Sequence, residues 1–160
     1  MLRLADERDI PNVVNIARQN KNFIGFVMNV TLVESIKKKS LYVYEENNKI
    51  VGFVHFHKRL DGWTTLHEIA VDKDNHSKGI GTKMMSVLEE PIRLKTTQDN
   101  VHAVSFYEKQ GFAHSRTEPG KKRELLVFEK ISPELKLKEE EKKLLKEHLK
   151  KSKKKAKIMK

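Results

Sequence analysis

The alternation of apolar and polar residues predicts two successive β-hairpins in the middle of the chain. Leu41 to Tyr44 and Ile50 to Phe56 are rich in β-forming residues and flank the turn pair Asn47 and Asn48. A third extended stretch, Trp63 to Val71, follows a turn that contains Asp61 and Gly62. Three consecutive strands are therefore expected between residues 41 and 71.

Segments with the apolar spacing of helices precede and follow these strands. Asp9 is expected to cap a helix whose apolar residues begin at Ile10, and a loop after Asn20 leads to a second helix ending at Lys37 to Lys39. Gly79 opens a third helix of about three turns that stops before Pro91. A fourth helix spans Asn100 to Gln110, with Gly111 as its left-handed cap. Further strands are predicted at Met1 to Ala5, Ile92 to Lys95, Phe112 to Thr117 and Glu124 to Lys130. The element order is β α α β β β α β α β β, a mixed α/β (α+β) fold around one sheet.

Charge separates the last 30 residues from the rest. Residues 131–160 contain 12 lysines and five glutamates, so this segment carries +7 of the net charge of +11. Ser132 and Pro133 are suited to begin a helix, and the segment is predicted to be a helical extension with a thin leucine stripe. We predict a globular domain over residues 1–130 and a lysine-rich extension over residues 131–160.

Composition excludes several classes of protein. The chain has no cysteine, which excludes disulfides, thiolate metal sites and a cysteine nucleophile. Residues 1–9 contain acidic side chains and lack the apolar core of a signal peptide, and no apolar run approaches the roughly 20 residues that span a bilayer. A cytoplasmic protein without membrane contact is expected.

A glycine-containing loop carries the clearest chemical signal. Residues 68–85 predict a strand, a polar loop and a helix whose first turn contains Gly79 and Gly81. Amide groups at the start of a helix can bind an anion, and glycines allow a phosphate to approach the backbone closely. The loop lacks the Gly-Lys-Ser/Thr ending of a nucleoside triphosphate loop and the glycine triplet of dinucleotide-binding folds. Another phosphate-bearing cofactor is indicated.

Two motifs resemble the GNAT superfamily of acetyl-CoA-dependent N-acetyltransferases. His76-Ser77-Lys78-Gly79-Ile80-Gly81 is similar to the family's Arg/Gln-x-x-Gly-x-Gly/Ala motif, with histidine at the first position. Asn100-Val-His-Ala103, followed by Phe106-Tyr107 and Gly111-Phe112, is similar to the family's second motif. The resemblance covers residues 1–130.

The resemblance implies a fold and a cofactor. It implies a mixed, mostly antiparallel sheet of six to seven strands flanked by about four helices, with acetyl-CoA bound between the fourth and fifth strands and no metal. Its implied cofactor-binding residues are Ile69, Ala70, Val71, His76, Ser77, Lys78, Gly79, Ile80, Gly81, Thr82, Asn100 and Tyr107.

The resemblance also implies a mechanism. An amine acceptor attacks the acetyl group directly in a ternary complex, Tyr107 protonates the departing sulfur, and Glu68 acts as general base, directly or through water. Small amines, a protein N-terminus or lysine, and an aminoacyl-tRNA or modified nucleic acid are all open as acceptors. The protein is expected to be a monomer or a homodimer.

Two other interpretations are weighed against this one. His55 and His57 share one face of a strand near His67, but exposed or hydrogen-bonded histidines are favoured over a metal site. His67 and His102 are minor candidates for a proton acceptor. Residues 136–160 favour weak nucleic-acid contact, so the alternative function is a catalytically silent GNAT-like module that binds CoA or nucleic acid.

Overall fold

The structure, a computed structural model, describes residues 1–20 and 29–158. The chain divides into two units, Met1–Lys130 and Ile131–Lys160. The loop predicted after Asn20 lies outside the described residues.

Within residues 1–20 and 29–130, the first unit contains seven strands and four α-helices in the predicted order. The strands are β1 (Leu2–Leu4), β2 (Leu41–Glu46), β3 (Lys49–Lys58), β4 (Thr64–Val71), β5 (Ile92–Thr97), β6 (Ala113–Pro119) and β7 (Glu124–Lys130). The helices are α1 (Ile10–Gln19), α2 (Asn29–Lys37), α3 (Ile80–Met85) and α4 (Val101–Lys109).

One seven-stranded sheet joins all the strands in the order β1-β2-β3-β4-β5-β7-β6. The pair β4 and β5 is parallel, and the other neighbouring strands are antiparallel. The predicted fold class is confirmed, including the two hairpins over residues 41–71 and the antiparallel pairing of the last two strands.

The sheet separates two apolar clusters because successive side chains of a strand point to opposite faces. On β2, Leu41 and Val43 enter the cluster that covers α1 and α2, whereas Tyr42 and Tyr44 pack against the other cluster. That other cluster contains the buried side chains of α3 and α4, among them Met84 and Tyr107. Among the described helices, α1 and α2 therefore lie on one face of the sheet, and α3 and α4 lie on the other.

Asp9 occupies the N-cap position of α1, as predicted, but its side chain makes no capping hydrogen bond. The carboxylate of Asp9 is buried and forms a two-pronged ion pair with the guanidinium of Arg3, at 2.8 and 2.9 Å. It also accepts the backbone N–H of Asp6, whose own side chain caps the short turn before α1. The sequence pattern therefore located the N-cap residue of α1, while the carboxylate of Asp9 is used by Arg3 and Asp6 instead of the first turn of the helix.

α3 is shorter than predicted. It ends at Met85 after six residues, and two tighter turns follow, in which Val87 and Leu88 donate to the carbonyls of Met84 and Met85. Leu88 is buried, and the next carbonyl, that of Glu89, accepts the hydroxyl of Thr64 at the start of β4. The chain leaves the helix early because it must return to the beginning of β4.

The second unit is one long helix, α5 (Pro133–Ile158), of roughly 39 Å at 1.5 Å per residue. The hydroxyl of Ser132 accepts the backbone N–H of Leu135, which confirms the predicted start. None of the helix residues is buried, and the stripe of Leu137, Leu144, Leu145 and Leu149 is exposed. No helix within residues 1–20 and 29–158 combines the length and apolarity that a membrane span needs.

Candidate functional site

The sheet opens between its two parallel strands. β4 and β5 pair only at Thr64 with Ile92 and at Thr65 with Arg93, after which both strands continue unpaired with each other. We call the resulting gap between residues 66–71 and residues 94–97 the wedge. It lies in the middle of the sheet, with three strands on the β5 side and four on the β4 side.

The edge of β4 that faces the wedge presents backbone groups. The N–H of Asp72 donates to the carbonyl of Val51 on β3 at 2.7 Å, and bonded residues alternate along an antiparallel pair. The backbone groups of Ile69 and Val71 therefore point away from β3 and into the wedge. The carbonyl of Val71 accepts the Nε2 hydrogen of His76 at 2.8 Å. The N–H and carbonyl of Ile69 and the N–H of Val71 are thus placed to pair with an extended ligand.

A β-bulge changes the direction of the side chains at the mouth of the wedge. His55 on β3 lies opposite Glu68, but the next residue, Phe56, lies opposite Leu66. His67 is therefore an extra residue on β4. Bulges strengthen the local twist and redirect neighbouring side chains, and this one brings His67 and Glu68 to the same opening.

The loop from β4 to α3 is held in one conformation by its own polar groups. The buried carboxylate of Asp72 accepts the N–H of Asp74, and this bond holds the pKa of Asp72 below its usual value. Ser77 and Gly79 adopt left-handed backbone angles, with φ of 66° and 76°. A Cβ at Gly79 would meet nothing within 4 Å, so glycine is required there by its φ angle, and the space beside it is open.

Gly81 has a different reason to be glycine. A Cβ at this position would lie 3.1 Å from the ring of Phe106, so the absence of a side chain lets α3 approach α4 closely. Because α3 has only six residues, few peptide dipoles are aligned behind its first turn. The glycine loop therefore offers an anion mainly its backbone N–H groups rather than a long helix dipole.

The wedge and the loop form one cleft of about 450 Å³. It brings together Glu68 and Tyr107 with all but one of the proposed cofactor-binding residues. Lys78 is the exception, since it does not line the cleft and its ammonium donates to the side chain of Asn75 at 3.0 Å. The cleft is lined by Asn20, His67, Glu68, Ile69, Ala70, Val71, Asn75, His76, Ser77, Gly79, Ile80, Gly81, Thr82, Lys95, Thr96, Asn100, His102, Ala103, Phe106 and Tyr107.

Several residues that line the cleft could not be identified as site residues from the sequence. Lys95 and Thr96 belong to β5 and reach the cleft only because β5 diverges from β4. Asn20 reaches it from the end of α1. Period-two alternation marks Lys95 as outward-facing, but no local pattern shows which strand lies beside it. These residues could be found only from the sheet order.

Tyr107 is held rigidly at the floor of the cleft. Its side chain packs against the rings of Phe106 and Phe112, at centroid distances of 5.5 and 5.7 Å. Burial raises the pKa of Tyr107 to about 12, and the negative charge of Glu68 adds to the effect. The hydroxyl therefore keeps its proton throughout the neutral range and can act as a hydrogen-bond donor.

Glu68 is oriented by a histidine from the neighbouring strand. One carboxylate oxygen of Glu68 lies 2.5 Å from Nδ1 of His55, while the side chain keeps 20% of its surface exposed. Since only one oxygen is engaged by the histidine, the carboxylate can reach a proton in the cleft. This contact was not predicted, because the two residues are 13 positions apart and the bulge sets their register.

The three neighbouring histidines do not form a metal site. The ring of His67 lies 5.1 Å from that of His55 and 6.4 Å from that of His57. Burial, followed by the charge of His55, lowers the pKa of His67, which makes it a weak proton acceptor. Among residues 1–20 and 29–158, no three histidine or carboxylate side chains are arranged to hold a metal ion.

Comparison with curated proteins agrees with the motifs. Residues 37–114 match a family model described as an acetyltransferase (GNAT) domain. Streptothricin acetyltransferase A of Bacillus subtilis is 31% identical over 93 residues, which are 53% of this chain and 53% of that protein. The uncharacterized protein YxbD of the same organism is 34% identical over 79 residues, which are 44% of this chain and 48% of that protein. The chain spans about half the length of these relatives.

Solved structures share the fold over a larger part of the chain. Ard1 from Thermoplasma volcanium has a TM-score of 0.74 and 22% identity, covering 82% of this chain and 96% of that one. A ribosomal-protein-alanine N-acetyltransferase from Brucella melitensis has a TM-score of 0.68 and 18% identity over 82% and 99% of the two chains. Naa50 of Arabidopsis thaliana, in complex with the bisubstrate analogue CoA-Ac-MVNAL, has a TM-score of 0.66 and 17% identity over 82% and 98%.

Proposed function

We propose that this chain, which belongs to the GNAT superfamily of acetyltransferases, transfers an acetyl group from acetyl-CoA to a primary amine in a ternary complex. The observation that carries the proposal is the wedge, which places the free edge of β4 between the glycine loop on one side and Glu68 and Tyr107 on the other. We further propose that the protein acts in the cytoplasm as a monomer or homodimer.

The donor groups of the cleft fit acetyl-CoA. The N–H and carbonyl of Ile69 and the N–H of Val71 suit the two amides of the pantetheine arm, which would extend along β4 as an added strand. The backbone of the loop from His76 to Gly81 suits the pyrophosphate, because its N–H groups are accessible and Gly79 leaves open space. Acetyl-CoA supplies the thioester carbonyl that the amine attacks and the thiolate that leaves.

The protein's own contribution is to position groups and move protons. Glu68 accepts a proton from the ammonium form of the acceptor, directly or through water, which frees the nitrogen lone pair. The hydroxyl of Tyr107 donates a hydrogen bond, and then its proton, to the departing sulfur. The chain has no cysteine, so no acyl-thiol enzyme can form, in agreement with direct transfer.

Thiol release tests the function with unusually low background. Because the chain contains no cysteine, free CoA is the only thiol that the reaction produces. We expect a thiol reagent to report CoA release when acetyl-CoA is mixed with a suitable member of a panel of small amines, peptides with free N-termini and lysine peptides. Mass spectrometry should find one acetyl group on the acceptor for each thiol released. Acetyl-CoA binding with no turnover on any class of amine would instead support a catalytically silent module.

The alternative of a nucleic-acid-binding module rests on α5. Between Lys150 and Lys157 the helix carries six lysines and no acidic residue, and all of them are exposed. Such a surface can neutralise phosphates without reading bases.

A charge-reversal variant separates this alternative from the enzyme function. If α5 contacts nucleic acid, changing Lys153, Lys154 and Lys155 to glutamate in the full chain should weaken RNA binding and flatten its dependence on salt by up to about 3 units of slope. The matched control changes Lys136, Lys138 and Lys142, which lie among the glutamates of the same helix. RNA binding that is equal in the two variants would exclude α5 as a specific contact.

A further inference from the structure

A chain of hydrogen bonds leads from α2 along one face of the sheet to the cleft. The hydroxyl oxygen of Ser35 on α2 lies 2.7 Å from Nε2 of His55 on β3. Nδ1 of His55 lies 2.5 Å from Glu68 on β4. Ser35 and His55 are each 6% exposed, so Glu68 is the member of the chain that reaches the cleft. A polar contact of this kind, buried from solvent, requires every hydrogen to have an acceptor.

Ser35 has two acceptors available for its one hydrogen. Besides Nε2 of His55, its oxygen lies 2.9 Å from the carbonyl of Thr31 in the preceding turn of α2. When His55 is neutral, Nδ1 donates to Glu68, and the serine hydroxyl donates to Nε2. When His55 is protonated, Nε2 becomes a donor to the serine oxygen, and the hydroxyl turns to the Thr31 carbonyl. Both states satisfy every group without moving a heavy atom.

We propose that His55 is a positioning residue for Glu68, which it holds by donating its Nδ1 hydrogen to one carboxylate oxygen. The assignment rests on the proposed function of Glu68 as general base. His55 holds one oxygen of Glu68 and leaves the other to meet the ammonium group. The proton that Glu68 receives stays on the oxygen that His55 does not hold, because Nδ1 of His55 already carries a hydrogen, and it passes from there to water in the cleft.

The stoichiometry of the reaction leaves one proton for Glu68 to release. Acetylation of an ammonium group removes two protons from nitrogen, while the sulfur takes up one, so one proton is released for each turnover. The new C–N bond and the broken C–S bond balance without any oxidant or reductant. Because 20% of the Glu68 side chain is exposed, water can take this proton, while the Nδ1 hydrogen of His55 keeps the carboxylate in place for the remaining nitrogen proton.

The other titratable side chains around His55 and Glu68 are His67, His57 and Tyr107. The ring of His67 lies 5.1 Å from that of His55, and burial lowers the pKa of His67. His57 lies beyond His67 on the exposed part of β3. Tyr107, on the opposite side of Glu68, stays neutral because its pKa is raised.

Nitrogen NMR of the histidine rings tests the assignment without any acceptor. We expect the ¹⁵N signals of His55 in the full chain to show a hydrogen on Nδ1 at neutral pH. Ser35→Ala should shift the Nε2 signal and leave Nδ1 protonated. A bare Nδ1 at neutral pH would overturn the proposal, since His55 would then not donate to Glu68.

Kinetics supplies the second test, with a matched control two residues away. His55→Gln should lower kcat about 10- to 100-fold, the usual effect of removing an orienting partner, with KM for acetyl-CoA changed by less than about twofold. His57→Gln makes the same substitution on the same strand outside the hydrogen-bond chain and should leave both constants unchanged. A kcat that is unchanged in His55→Gln overturns this assignment and leaves acetyl transfer standing, whereas a wild-type protein inactive toward every amine overturns both.

Discussion

We expect Tyr107→Phe to lower kcat about 100- to 1000-fold while leaving the affinity for acetyl-CoA within about twofold. Loss of one donor to a developing negative charge has an effect of this size. The phenyl ring keeps the packing against Phe106 and Phe112, so the substitution removes only the hydroxyl. With its pKa raised to about 12, Tyr107 is a weaker acid than a thiol of pKa about 8.5, so its first contribution is the hydrogen bond to sulfur. The assignment fails if kcat is unchanged and the cofactor still binds.

Alkaline unfolding provides an independent check on the environment of Tyr107. A folded-state pKa of about 12 against 10 for an exposed tyrosine means that burial of the neutral phenol stabilises the fold fully below pH 10. That contribution is lost as the pH rises through 12. Between about pH 9.5 and pH 11.5, wild type should lose about 2 kcal/mol of unfolding free energy relative to Tyr107→Phe, measured by urea denaturation. Equal losses in the two proteins would mean that the phenol ionises freely in the folded state.

The second large effect is expected at the glycine loop. Gly79→Glu should weaken acetyl-CoA binding by about 100-fold or more, measured by calorimetry, because it places bulk and a negative charge in the open space where the pyrophosphate is proposed to lie. A 100-fold loss corresponds to about 2.8 kcal/mol. The variant should bind neither acetyl-CoA nor CoA tightly, since the two share the pyrophosphate.

Two control variants separate the possible causes of that loss. Gly62 also has a left-handed φ, 91°, with nothing within 4 Å of its Cβ position, but it lies in the turn between β3 and β4. Gly62→Glu therefore introduces similar backbone strain and the same charge away from the cleft, and it should bind acetyl-CoA normally. Gly79→Gln keeps the bulk without the charge and should bind better than Gly79→Glu. Equal affinity of Gly79→Glu and wild type would remove the loop from the cofactor site.

The element order and the glycine loop could be predicted because their signals are local. The hairpin turns, the cap at Gly111 and the start of α5 at Ser132 depend on residues within a few positions of one another. The length of α3 could not be predicted from neighbouring residues. Its end depends on the bond between the Glu89 carbonyl and the Thr64 hydroxyl, which are 25 residues apart.

The residues of the candidate site also differ in whether a local sequence signal identifies them. The cofactor loop could be proposed from one continuous segment, whereas the partner of Glu68 could not. His55 meets Glu68 only because an extra residue, His67, shifts the register of β4 against β3, and Ser35 joins from a helix 20 residues earlier. His76 departs from the arginine or glutamine at the first position of the family's glycine motif. In the structure its ring binds the carbonyl of Val71. Contacts across the sheet and between loop and strand carry no local sequence signature.

The short ladder between β4 and β5 also has a consequence for folding cooperativity. In the β4–β5 ladder, only two residue pairs link the backbones of the two halves of the sheet. Packing between side chains must therefore couple the unfolding of the two halves. Leu66 on one half and Ile92 and Leu94 on the other enter the same apolar cluster, which α3 supplements with Met84. Apolar contacts are non-directional. A small movement of one half of the sheet against the other therefore costs less free energy than the same movement would cost in a hydrogen-bonded ladder. The first unit can therefore unfold cooperatively even though the width of its wedge can change.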